Sequence, residues 1–196
     1  MRRLYFQRGV TLIETLVGMA IVVLVLAMGM PSFSTYMQNT QIRNAAESIQ
    51  NGLSMTRSEA TRRNTIVQFV LGSGSSWTVG CATVDGTNCP ASIQTRNSAE
   101  GSSNAAVSAW QEVASSHTAA ATPAFTTTLS FNGFGKANTL PPGNNAVYDI
   151  SNPTGGSCAT AGGTMRCLRV TVTSGGQIRM CDPKLTSTNP TNPQAC

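Results

Sequence analysis

Only 11% of the 196 residues are charged and 6% aromatic, and the single histidine, His117, stands in a run of Ser, Thr and Ala. One histidine excludes histidine-rich metal centres, so no metal or other cofactor is expected, and acid–base chemistry would rest on scattered carboxylates. The glycines carry no phosphate cradle, because neither residues 140–145 nor 152–156 lead into Lys-Ser/Thr or an opening helix. No nucleophile has a base partner at a readable spacing, and an enzyme is not expected. Cysteine is absent from the first eighty residues; all six, Cys81, Cys89, Cys158, Cys167, Cys181 and Cys196, come later.

What the chain does have is a long greasy start. From residue 10 to residue 30 only Thr11, Glu14 and Thr15 are polar, and about twenty such residues in a helix match the thickness of bilayer hydrocarbon. Glu14 is the anomaly, because a carboxylate in such a helix costs on the order of 2.5 to 3.5 kcal/mol on insertion scales. The run contains no Lys, Arg or His to answer it. Cleavage after Gly9 would supply the missing partner as a free amine at Val10, one helical turn from Glu14, able to pair within a helix or between neighbouring helices. An ordinary secretory signal ending near Ala27-Met28-Gly29, or a plain signal anchor, also accounts for the apolar run, but for neither Glu14 nor the Gly9 junction.

Charge places this segment. Three of the thirteen basic side chains, Arg2, Arg3 and Arg8, precede the junction, leaving ten against eight acidic ones, a net +2. That balance makes no electrostatic case for nucleic acid. The leading arginines put the N-terminus in the cytoplasm and the bulk of the chain across the membrane. An even cysteine count in an exported domain points to disulfides; of the fifteen pairings, sequence neighbours are favoured, Cys81 with Cys89, Cys158 with Cys167, and Cys181 with Cys196.

Beyond Pro31, expected to kink the helix, Ile42, Ala45, Ala46, Ile49, Leu53, Thr56 and Ala60 recur at three- and four-residue steps, predicting an amphipathic continuation to residue 63 with Gly52 as a weaker point. From residue 64 the texture is β. Residues 65–71 and 77–81 flank a Gly/Ser turn, 107–113, 126–131 and 146–150 are strand candidates, and 85–104 reads as loop. The final hairpin pairs Val172 with Ile178 and Val170 with Met180 across a three-residue turn, setting Leu168 inward too, and Arg169 and Arg179 outward. The expected organisation is a leader at 1–9, a transmembrane helix at 10–30, its amphipathic half at 31–63 and a periplasmic β-rich domain at 64–196, an α+β class.

Gly9-Val10-Thr11-Leu12-Ile13-Glu14, the short basic leader and Pro31 together resemble a type IV pilin-like signal. The resemblance implies that prepilin peptidase cuts after Gly9 and methylates Val10, where the family usually has Phe. Trp77, the run Leu129-Ser130-Phe131-Asn132-Gly133-Phe134-Gly135 and the stretch Gly176-Gln177-Ile178-Arg179-Met180-Cys181-Asp182-Pro183 are similar to the GspH/FimT branch. That likeness implies a β-sandwich-like domain packed on the helix, and a minor subunit of a type IV pilus or of a type II secretion pseudopilus, anchored in the inner membrane and assembled with other pilins or pseudopilins. Some FimT-like members bind DNA through Gly-Arg-x-Arg in the last hairpin. Here only Arg179 matches, with Arg169 and Lys184 as nearby candidates.

Overall fold

The computed structural model describes residues 9–86, 88–120, 127–185 and 192–196, the side chains of residues 28–32 excepted. Helix α1 runs from Leu12 to Arg63. It begins where Thr11, in extended backbone, turns its hydroxyl to accept from the Glu14 amide at 3.3 Å. It stops at Asn64, which takes the left-handed conformation (φ 50°) and donates its N–H to the Ala60 and Thr61 carbonyls.

The two halves of α1 meet different surroundings. Every described residue from 12 to 27 is exposed, whereas Ile42, Ala45, Ala46, Ile49, Leu53, Thr56 and Ala60 are buried completely. The second set is the stripe expected from the sequence, and its large members each contribute roughly 1.5–3 kcal/mol of burial. Among the described residues no helix is long and apolar enough to cross a membrane. The kink expected at Pro31 falls on residues 28–32, whose side chains lie outside the described set.

Two antiparallel sheets cover the buried stripe. The first is ordered β3-β2-β1-β6, built from Gln94–Arg96, Trp77–Cys81, Val67–Leu71 and Thr128–Phe131. The second is ordered β5-β4-β7-β8-β9, built from Thr118–Ala119, Ala106–Val113, Asn144–Ser151, Leu168–Thr173 and Ile178–Cys181. Phe69 of β1 meets Tyr148 of β7 edge-to-face at 5.9 Å and Trp77 of β2 at 5.8 Å, so helix and both sheets share one core. Trp77 fixes the helix to the first sheet by donating its indole N–H to Ser48 Oγ at 2.7 Å. Gly52 is not a weak point here: a Cβ would lie 2.8 Å from a Phe69 ring carbon and 3.0 Å from the Trp77 ring. Its missing side chain is what lets α1 approach the aromatic pair.

Several expectations change. The loop expected over 85–104 contains β3, a strand with two exposed residues at the edge of its sheet, so no burial pattern marks it in the sequence. Strand β7 starts at Asn144, two residues before the strand expected at 146–150, because Asn144 and Asn145 pair with β4 through backbone while their amides bond Gln111 and Glu112. The strand candidate at 126–131 is β6 from Thr128, position 126 lying outside the described residues. The last hairpin keeps the expected register, Val170 opposite Met180, Thr171 opposite Arg179 and Val172 opposite Ile178. Disulfides join Cys81 to Cys89, Cys158 to Cys167, and Cys181 to Cys196.

Candidate assembly interface

Gly9, Val10 and Glu14, the residues expected to take part in processing and assembly, are all exposed. Gly9 and Val10 precede the Thr11 cap, so they are outside the helix, and Glu14 lies in its first turn. A Val10 amine one helical turn from Glu14 presumes helix through residue 10, but the helix starts two residues after Val10. Helical pitch therefore does not fix that distance. Around Glu14, Leu12, Ile13, Leu16, Val17, Met19 and Ile21 are all exposed. Apart from Glu14 and Thr15, the described side chains of this half of α1 form an exposed apolar surface.

The hairpin arginines are engaged, not free. Arg169 holds Asp149 with two bonds, Nε to Oδ1 at 2.7 Å and Nη2 to Oδ2 at 3.2 Å, and its guanidinium lies 5.3 Å from the Trp110 ring centre. Trp110 completes the group by donating its indole N–H to Asp149 Oδ2 at 2.7 Å. Arg179 donates to the Pro193 and Ala195 carbonyls at 2.9 and 2.6 Å, pinning the tail that Cys196 closes. Lys184 follows at the tail's start, its amide bonded to Asp182 Oδ1. The three candidate DNA-contact residues thus share the second sheet's outer face and tail, with one guanidinium neutralised and another used on backbone.

Other charges are structural too. Arg62 bonds Glu59 at 2.6 Å and Arg63 does so at 2.7 Å near the helix end. The Arg62 guanidinium, with Arg63 beside it, holds the Glu59 carboxyl below the usual carboxylate range although burial pushes the other way. Burial pushes the Tyr148 phenol up. His117 meets the buried Glu112 through Nδ1 at 3.2 Å, a pairing across the β4–β5 turn that sequence spacing did not reveal. Among the described residues no group of three His, Cys, Asp or Glu side chains could hold a metal ion.

Sequence reasoning also missed the two ends of the domain. Near the helix C-terminus, Arg57 Nε donates to the Gly135 carbonyl at 3.2 Å, and Gly176 (φ 85°) stacks so tightly that a Cβ would collide with the same oxygen. At the other end, Asn104 N and Nδ2 bond Gln41 and Gln38, Asn152 bonds Gln38, and Arg166 N bonds Asn39. Their only sequence signal was amide side chains at 38, 39 and 41, where the helix leaves its apolar half.

A family model described as type II transport protein GspH matches residues 45–181, and a prokaryotic N-terminal methylation motif matches residues 5–30. Among solved structures, the Pseudomonas aeruginosa type IV minor pilin FimU is similar in two crystal forms. In space group P21 it is 15% identical over 76% of this chain and 95% of that chain, with a TM-score of 0.49. In space group P65 the values are 13%, 73%, 94% and 0.47. No match is found among curated proteins.

Proposed function

The chain belongs to the GspH family, and from that premise we propose that it is a minor pilin, a structural or initiation subunit of a type IV pilus. Residues 1–9 act as a leader removed by prepilin peptidase, residues 10–30 cross the inner membrane, and the domain from residue 64 folds in the periplasm. Assembly runs through the N-terminal helix. The observation that carries this reading is the contrast along α1: one half seals a domain, and the other, Thr15 apart, exposes apolar side chains around a single carboxylate, Glu14. A carboxylate there is tolerable once a Val10 amine from an adjoining helix neutralises it.

The test is processing plus incorporation. Mature protein should begin at Val10 by N-terminal sequencing, and Glu14→Ala should enter the membrane normally yet be missing from sheared filaments. A mature N-terminus elsewhere, or normal incorporation of the variant, overturns the reading.

A second reading, a pseudopilin of type II secretion, is favoured by the match to the type II transport protein GspH family. The disulfides favour the pilus, because cross-links are of most use to a domain exposed outside the cell. Deleting pilus assembly genes and secretion genes separately, and asking which deletion strands the processed chain in the membrane, separates the two. DNA capture by the last hairpin is the weaker alternative, since Arg169 is neutralised by Asp149 and Arg179 is occupied by the tail.

A further inference from the structure

Beyond residue 30 one face of α1 takes up the domain while the opposite face stays open. Phe33 is 65% and Tyr36 67% exposed. Val22, Leu26, Phe33, Tyr36, Arg43 and Glu47 follow one another at steps of three, four or seven residues, so they form a single stripe along the helix. At about 100° per residue the stripe lies opposite Ile42, Ala45 and Ile49, which are buried under the sheets.

The stripe changes chemistry in one direction. Val22 and Leu26 are exposed and apolar, Phe33 and Tyr36 are aromatic, and Arg43 and Glu47 form an ion pair at 2.9 Å. Hydrocarbon, headgroup zone and water accept side chains in that order, with amphipathic rings at the boundary. The depths agree. With residue 30 as the last in hydrocarbon, the backbone of Phe33 lies about 4.5 Å and that of Tyr36 about 9 Å beyond it. The headgroup zone is about 5–8 Å deep on each side. Helical side chains lean back toward the helix N-terminus, which brings the Tyr36 ring down into that zone. Arg43, about 20 Å out, stands clear of it.

We infer that Phe33 and Tyr36 anchor the unassembled subunit to phospholipid at the periplasmic boundary of the bilayer. The rings settle beside the glycerol esters, where the Tyr36 hydroxyl can donate to ester or phosphate oxygens. The anchor also fixes the height of the domain, because Asn152 and Arg166 bond the helix at Gln38 and Asn39, directly above the rings. A second helix packed along this stripe would bury the Arg43–Glu47 pair together with the rings, a desolvation cost that a bilayer boundary does not impose. The anchor rests on the reading of residues 10–30 as a membrane helix.

The test reads depth by spin-label relaxation on the full-length chain in phosphatidylcholine/phosphatidylglycerol vesicles at low protein-to-lipid ratio. The described cysteines are all paired, so one added cysteine carries the nitroxide. Ser34→Cys, at an exposed position between the two rings, leaves both aromatics in place. Val22→Cys and Arg43→Cys supply the lipid and water references. The Ser34 label should meet an aqueous nickel chelate at a rate between the references. Phe33→Ala/Tyr36→Ala, which touches no core residue, should raise that rate several-fold, and Phe33→Tyr/Tyr36→Trp should keep the parent value. A Ser34 label as open to the chelate as the Arg43 reference, or one unmoved by the alanine pair, overturns the anchor while the membrane helix stands. Shielding that disappears on further dilution in lipid means that another helix covers the rings, and overturns it as well. A Val22 label open to the chelate overturns the membrane-helix reading and the anchor with it.

Discussion

Asn152, fully buried, reaches back 114 residues to donate its amide to Gln38 Oε1 at 2.5 Å and to the Gln38 carbonyl at 3.3 Å. It also accepts from Gly155 N at 3.2 Å, so one side chain joins the helix to the short 3-10 turn Pro153–Gly155. Asn152→Leu removes the donor and leaves the half-buried Gln38 Oε1 with only the longer bond from Asn104 Nδ2 at 3.4 Å, and should cost about 1–3 kcal/mol. Thermal unfolding of the full chain in detergent measures it; a midpoint equal to the parent's would mean that this amide contact contributes nothing.

Gly52 sets propensity against packing. Gly52→Ala should gain about 1 kcal/mol of helix propensity, but the added methyl would sit 2.8 Å from the Phe69 ring, and overpacking costs typically 1–3 kcal/mol. The expected outcome is net destabilisation, with Trp77 fluorescence altered. Gly18→Ala, where nothing lies within 4 Å, is the matched control and should leave the domain's unfolding midpoint unchanged.

The difference between these two glycines shows what the sequence could reveal. The stripe from Ile42 to Ala60 and the register of the last hairpin were legible because each is a local periodic or spaced pattern. Strand β3 was not, because an exposed edge strand is held by backbone bonds that leave no trace in side-chain alternation. The engagement of Arg169 was equally hidden. Its partner Asp149 lies in another strand, and only the β7–β8 register brings the two opposite each other. Gly52 looked like a defect in a helix until the aromatic pair facing it was known.

Acid should weaken the end of the helix. The Glu59 carboxyl is held below its ordinary value of 4.5, chiefly by its hydrogen bond to Arg62. A depressed folded pKa means that the unfolded chain takes up the proton first as pH falls. The stabilisation is therefore fully present above about pH 4.5 and is lost as pH drops through the lower folded value. Glu59→Gln should flatten this part of the stability profile between pH 5 and pH 3. A variant with the parent's slope over that range would show that other carboxylates account for it.

The tail closed by Cys181 and Cys196, fifteen residues apart, holds Arg179 in place as much as Arg179 holds the tail. Closing a loop of that size is worth at most about 3 kcal/mol in the chain-entropy account. Converting both residues to Ser should lower the midpoint within that bound and release the tail to proteolysis. Resistance to cleavage equal to the parent's would mean that the Arg179 contacts alone keep the tail ordered.

Asp149 decides whether the last hairpin can hold DNA. It neutralises Arg169, while Trp110 both bonds that carboxylate and lies under the guanidinium, so Arg169 is locked in position and electrostatically silent. Phosphate contacts depend on uncompensated cations and weaken steeply with salt. The parent chain should therefore retard DNA weakly or not at all in a mobility shift, even at low salt. Asp149→Asn leaves a side chain of the same shape but frees the charge of Arg169, and should raise DNA retention in a salt-sensitive way; Asp149→Asn combined with Arg169→Gln should abolish the gain. If the parent instead binds firmly and Asp149→Asn changes nothing, the neutralisation argument is wrong, and the hairpin must present its cations to DNA in an arrangement other than the one seen here.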